Sequence, residues 1–166
     1  MVRKTILCCT LPLALCYTAV VFAKPDFSGS WVMDRARSFG LPGNMEQTMT
    51  VKQSGDQVEV ETRLIQPNNE RTQKDTYTLD GKEYDFTPFA PPNQTPPKGR
   101  RTVNWLPNGT GIIVTEITTA ETPNGPATTK VVKKWTFTGE GEVTIASFVD
   151  APTVSYEAKR IFVRKK

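Results

Sequence analysis

The chain has 166 residues, with 21 Lys and Arg against 17 Asp and Glu, no histidine and 3 cysteines, Cys8, Cys9 and Cys16, all near its start. Without histidine or a cysteine beyond residue 16, Ser-His and Cys-His nucleophile pairs and ordinary zinc or copper sites are excluded from the main body. Setting aside Arg3 and Lys4, the excess of two positive charges is too small to argue for nucleic acid or an anionic membrane as partner.

Arg3 and Lys4 precede an apolar run from Thr5 to Phe22, and Val21-Phe22-Ala23 places small residues just before polar Lys24-Pro25-Asp26. This pattern predicts a signal peptide over 1–23, cleaved after Ala23. Pro12 interrupts the run, so a leader is expected rather than a membrane span. Lipidation at Cys16 is the alternative, disfavoured by the bulk of Leu15. Export to a periplasmic or secreted location then leaves 24–166 as one cysteine-free domain, stabilised by burial and hydrogen bonds and expected to be a monomer.

The domain opens on Asp26-Phe27-Ser28-Gly29-Ser30-Trp31. Gly29 allows a sharp bend and close approach of a neighbouring strand, and Trp31 is expected to plug one end of a closed sheet. Burying roughly 200 Å² of indole at about 25 cal/mol per Å² contributes at most about 5 kcal/mol. Met45 to Gln53 and Gln57 to Ile65 alternate apolar and polar residues, the latter most clearly, with Val58, Val60 and Leu64 opposing Glu59, Glu61 and Arg63. A strand over Gln73 to Leu79 is expected to turn at Asp80-Gly81 in a tight hairpin into Glu83 to Phe86.

Thr87 to Gly99 contains Pro88, Pro91, Pro92, Pro96 and Pro97 and is expected to be a surface loop. It is read as an inserted loop, a flap over the barrel mouth or a docking segment for a protein partner, and its flank Lys98-Gly99-Arg100-Arg101 as a solvated basic surface. Further strands follow over Thr102 to Trp105, Gly111 to Thr119, Thr128 to Thr138, Val143 to Val149 and Tyr156 to Arg164. On the third of these, Val131, Trp135 and Phe137 share one face. With no long helical pattern, about ten strands make an all-β, single antiparallel up-and-down β-barrel the expected fold.

With Phe27-Ser28-Gly29-Ser30-Trp31 at one end and Arg160-Ile161-Phe162 at the other, the domain resembles the calycins, the lipocalins and fatty-acid-binding proteins. Phe162 stands where those carriers have a tyrosine, and Ser38 to Asn44 leaves no room for a two-helix lid. The resemblance implies that Gly29 and Trp31 close the barrel and that Arg160 meets a ligand carboxylate. Alternation places Arg160 on one face with Tyr156, Ala158 and Phe162, where a guanidinium needs water, a carboxylate or an anionic ligand head. Stacking of Arg160 on Trp31 is the structural alternative.

The expected function is therefore non-enzymatic: a cofactor-free carrier of a small hydrophobic molecule, with or without an acidic head, held among Trp105, Trp135, Phe137, Phe162 and Arg160. The alternative is a cavity-less envelope module that docks a partner through the Pro-rich loop 87–99. Neither a metal site nor a catalytic group is expected; Glu59 and Glu61 share a face that points to water.

Overall fold

A computed structural model describes residues 24–40, 43–67, 69–88, 96–123, 125–139 and 141–165. Residues 1–23, the expected leader with Ala23 and Cys16, and the centre of the Pro-rich loop, 89–95, lie outside the described residues. The described residues form ten strands: β1 Gly29–Met33, β2 Glu46–Ser54, β3 Gln57–Gln66, β4 Asn69–Thr78, β5 Glu83–Phe86, β6 Lys98–Trp105, β7 Gly111–Thr122, β8 Gly125–Phe137, β9 Glu142–Ala151 and β10 Val154–Arg164. They make a single antiparallel sheet in the order β4-β3-β2-β1-β10-β9-β8-β7-β6-β5, the expected up-and-down architecture, curled into a half-barrel.

The chain ends meet in the middle of that order. β1 pairs with β10, Trp31 lying opposite Arg164 and Met33 opposite Phe162. Trp31 is 0% exposed, and its indole N–H donates to the Phe27 carbonyl at 3.0 Å. The cation over its ring, 4.5 Å from the centroid, belongs to Arg164, which corrects the expectation that Arg160 stacks there. Register decides this, because Arg164 is Trp31's direct cross-strand partner and Arg160 is paired instead with Ile145 of β9. Gly29 has φ +139°, and a Cβ there would collide with the same guanidinium, which also donates to the Ser28 carbonyl at 2.8 Å. The backbone thus favours glycine, and a Cβ would also push the flexible Arg164 head aside.

Phe27 enters the core from a segment tied to β2, where its N–H donates to Gln53 Oε1 at 3.0 Å. With Trp31, Val51, Val58, Ile112, Val143 and Phe162 it forms a fully buried floor. The rings pack edge-on, Phe27 with Trp135 and Phe137 at 6.0 and 6.3 Å and Trp31 with Phe137 at 6.3 Å.

Both faces of β10 are apolar for separate reasons. Ala158, Arg160 and Phe162 face inward, while Ile161 is buried where 34–39 runs alongside: Asp34 N–H donates to its carbonyl at 2.7 Å and its own N–H donates to Ser38 Oγ at 3.0 Å. The Asp80-Gly81 turn is no hairpin. β4 and β5 are consecutive but stand at opposite ends of the strand order, so the chain turns a corner there. Asp80 Oδ1 accepts from Lys82 N–H, and Gly81, at φ +74°, donates to the Val103 carbonyl. The sheet therefore keeps two edges that face one another across a seam.

Candidate binding cavity

Above the floor the inward face changes character. Val131, Lys133, Trp135 and Phe137 follow one another on the inner face of β8, and Gln73, Asp75 and Tyr77 on that of β4. Between these halves of the sheet lies a cavity of about 220 Å³, whose wall includes Gln47, Thr62, Arg71, Asp75, Tyr77, Lys133, Trp135 and Arg160. Its lining is mostly polar, whereas the expectation from the sequence was an aromatic interior.

Trp135 and Arg160 are brought together, since both lie opposite Ile145 of the intervening strand. The other proposed ligand residues lie elsewhere. Phe162 is fully buried in the floor and Phe137 packs edge-on there. Trp105 packs against the floor from the side, with Lys24 Nζ 4.7 Å from its ring centroid. Gly29 and Trp31 occupy the closure as described.

Three residues that line the cavity each carry a buried polar atom without a hydrogen-bond partner among the described residues: Trp135 Nε1, Arg160 Nε and Gln47 Oε1. The first two are obligate N–H donors, and turning the Gln47 amide over would present a third. Burial lowers the Arg160 pKa, with Tyr156 opposing it, yet a guanidinium stays charged throughout the physiological range. Among the described residues Arg160 makes no ion pair. Leaving such donors unmade typically costs about 1–3 kcal/mol each, so the wall is suited to an acceptor-rich guest.

Four other charges, Asp75, Arg101, Glu116 and Lys133, form one network. Arg101 of β6 is 6% exposed, which corrects the expectation of a solvated basic stretch over 98–101. That stretch belongs to β6, and alternation turns Arg101 inward while Lys98 and Arg100 stay exposed. Arg101 Nε donates to Glu116 Oε1 at 2.8 Å, and Nη2 donates to Asp75 Oδ1 at 2.7 Å and lies 2.7 Å from Glu116 Oε1. The guanidinium lies over Tyr77 and Phe86 at 4.6 and 4.1 Å. Lys133 Nζ donates to Glu116 Oε2 at 2.8 Å. Burial alone would lower the Arg101 pKa, but the carboxylates Glu116 and Asp75 outweigh it and hold the value above the usual range. Burial also pushes the Tyr77 hydroxyl far up, so it stays neutral.

This network was legible in part. Lys133 shares its parity with Val131 and Trp135, Glu116 with Ile112 and Val114, and Asp75 with Tyr77. Charges on the inward parity of neighbouring strands were the signal. Among the described residues no group of three or more His, Cys, Asp or Glu could hold a metal ion.

No family model matches the chain, and a search of curated proteins found no match. Among solved structures, the crystal structure of secretory abundant heat soluble protein 4 from Ramazzottius varieornatus is similar, with a TM-score of 0.48 and 12% identity over 84% of this chain and 94% of that one.

Proposed function

We propose that this chain is an exported, calycin-like, non-enzymatic binding protein that holds one small molecule by an anionic head in the cavity beside Trp135. The observation that carries this reading is the pair of buried, unpartnered donors, Arg160 Nε and Trp135 Nε1, on two residues that line one cavity. A charged donor and a neutral one on the same wall suit a carboxylate, sulfonate or phosphate oxygen pair. A volume of about 220 Å³ is below the usual range for drug-sized guests, so the head fills the cavity and any apolar tail projects from it. Of the molecules expected from the sequence, hydrophobic with or without an acidic head, the polar lining favours those with the acidic head. The presence of a cavity supports carriage over a cavity-less docking module.

The test is titration of the mature chain with anilinonaphthalene sulfonate, displacement by oleate, and native mass spectrometry for stoichiometry. One molecule per chain is expected, with Arg160→Met weakening binding about ten- to a hundredfold. Equal affinity in the variant, or no binding of either anion, would overturn the reading.

A further inference from the structure

Asp75 is a carboxylate on the wall of a cavity that suits an anion, and it stands across the seam from Arg101. Its second oxygen accepts from Gln73 Nε2 at 2.8 Å, a neutral donor that leaves the charge in place, and Arg101 supplies the compensating cation. It comes from β6, beyond the unpaired edges of β4 and β5, and its fork holds Asp75 with one arm and Glu116 with the other. Its remaining nitrogen reaches the Thr76 carbonyl at 3.4 Å. Glu116 in turn occupies Lys133 through its second oxygen. Two cations and two carboxylates thus cancel in an alternating chain, Asp75, Arg101, Glu116, Lys133, and Arg160 stands outside it.

We propose that Arg101, which does not line the cavity, sets its charge selectivity: by neutralising Asp75 across the seam and Glu116 beside it on β7, it favours anions over cations in the cavity. This rests on the cavity being the binding site proposed above. It makes Arg101 a positioning residue, acting through Asp75 and Glu116 and touching no ligand.

Opposite signs distinguish this role from a structural one. Arg101→Met leaves Asp75 and Glu116 without its charge, with Arg71, Lys133 and Arg160 on the wall, and should lower anilinonaphthalene sulfonate affinity about tenfold while raising that for the cationic dye thioflavin T. Asp75→Asn frees part of the Arg101 charge and should raise the anion's affinity several-fold. The double variant Arg101→Met/Asp75→Asn should recover most of the loss. A merely structural contact predicts that both single substitutions weaken binding and that the double is worst, and that result overturns the proposal. Should Arg101→Met fail to fold, Asp75→Asn alone decides, since weaker or unchanged anion binding refutes the claim. If the wild type binds the anion and Arg101→Met keeps its anion preference, charge setting by Arg101 fails while the carrier reading stands. If the wild type binds neither dye nor oleate, the carrier reading fails first and takes this one with it.

Discussion

The floor and the cavity wall are built from the same strands to opposite rules. Around Trp31 the apolar side chains are fully buried and the indole N–H is paired with Phe27; a few residues further along, Trp135 shows the same burial with its N–H unpaired. The floor gains its stability from close packing, with the Trp31 indole hydrogen-bonded. Residues of the wall leave the Trp135 and Arg160 donors unpaired among the described residues, and these are the groups assigned above to a guest. Substitutions in the two regions should therefore separate stability from binding.

The largest effect is expected for Trp31→Ala, which removes the plug and should cost about 3–5 kcal/mol in chemical denaturation. Anion affinity of the molecules that remain folded should be close to that of wild type; a stable variant would break the contrast. Next comes Gly29→Ala. Its φ of +139° and the collision with Arg164 should cost about 1–3 kcal/mol, and Arg164→Ala in the same chain should relieve the steric part. Calorimetry on the single and double variants measures that coupling.

Arg160→Met should do the reverse of Trp31→Ala. Replacing a half-buried guanidinium that lacks an ion pair should leave stability unchanged or raise it by about 1 kcal/mol, while anion binding falls. A large loss of stability would show that Arg160 belongs to the scaffold. The smallest effect concerns Asp80 at the corner between β4 and β5. Its bonds from the Lys82 N–H and the Tyr84 hydroxyl hold its carboxyl below the ordinary range. A depressed folded value means that the contribution is present above the unfolded pKa of about 4 and is lost as the pH falls through the folded value. Amide exchange over 79–84 should therefore quicken in acid, and Asp80→Asn should abolish that dependence.

The strands were readable because alternation reports a half-buried sheet, as in Val58, Val60 and Leu64 of β3. Gly29 and Trp31 were readable because a flexible residue beside a large aromatic has few other uses. Two features resisted. The turn at Asp80-Gly81 has hairpin chemistry, yet the same chemistry serves a corner, and local residues do not report which strands their neighbours will pair with. Arg100 and Arg101 look alike in a basic run, although one side chain is exposed and the other nearly sealed. Alternation separates them only once β6 is known to begin at Lys98.

By itself the sequence determined an antiparallel sheet that opens on Trp31 and ends on a strand carrying Arg160, since period, turns and glycines act within a few residues of the chain. Tertiary structure alone decided that Arg164 caps the tryptophan, that Arg101 reaches Asp75 across 26 residues of sequence, and that Arg160 shares a wall with Trp135. Those pairings depend on cross-strand register and on how far the sheet curls, which are properties of the whole sheet and of no single stretch.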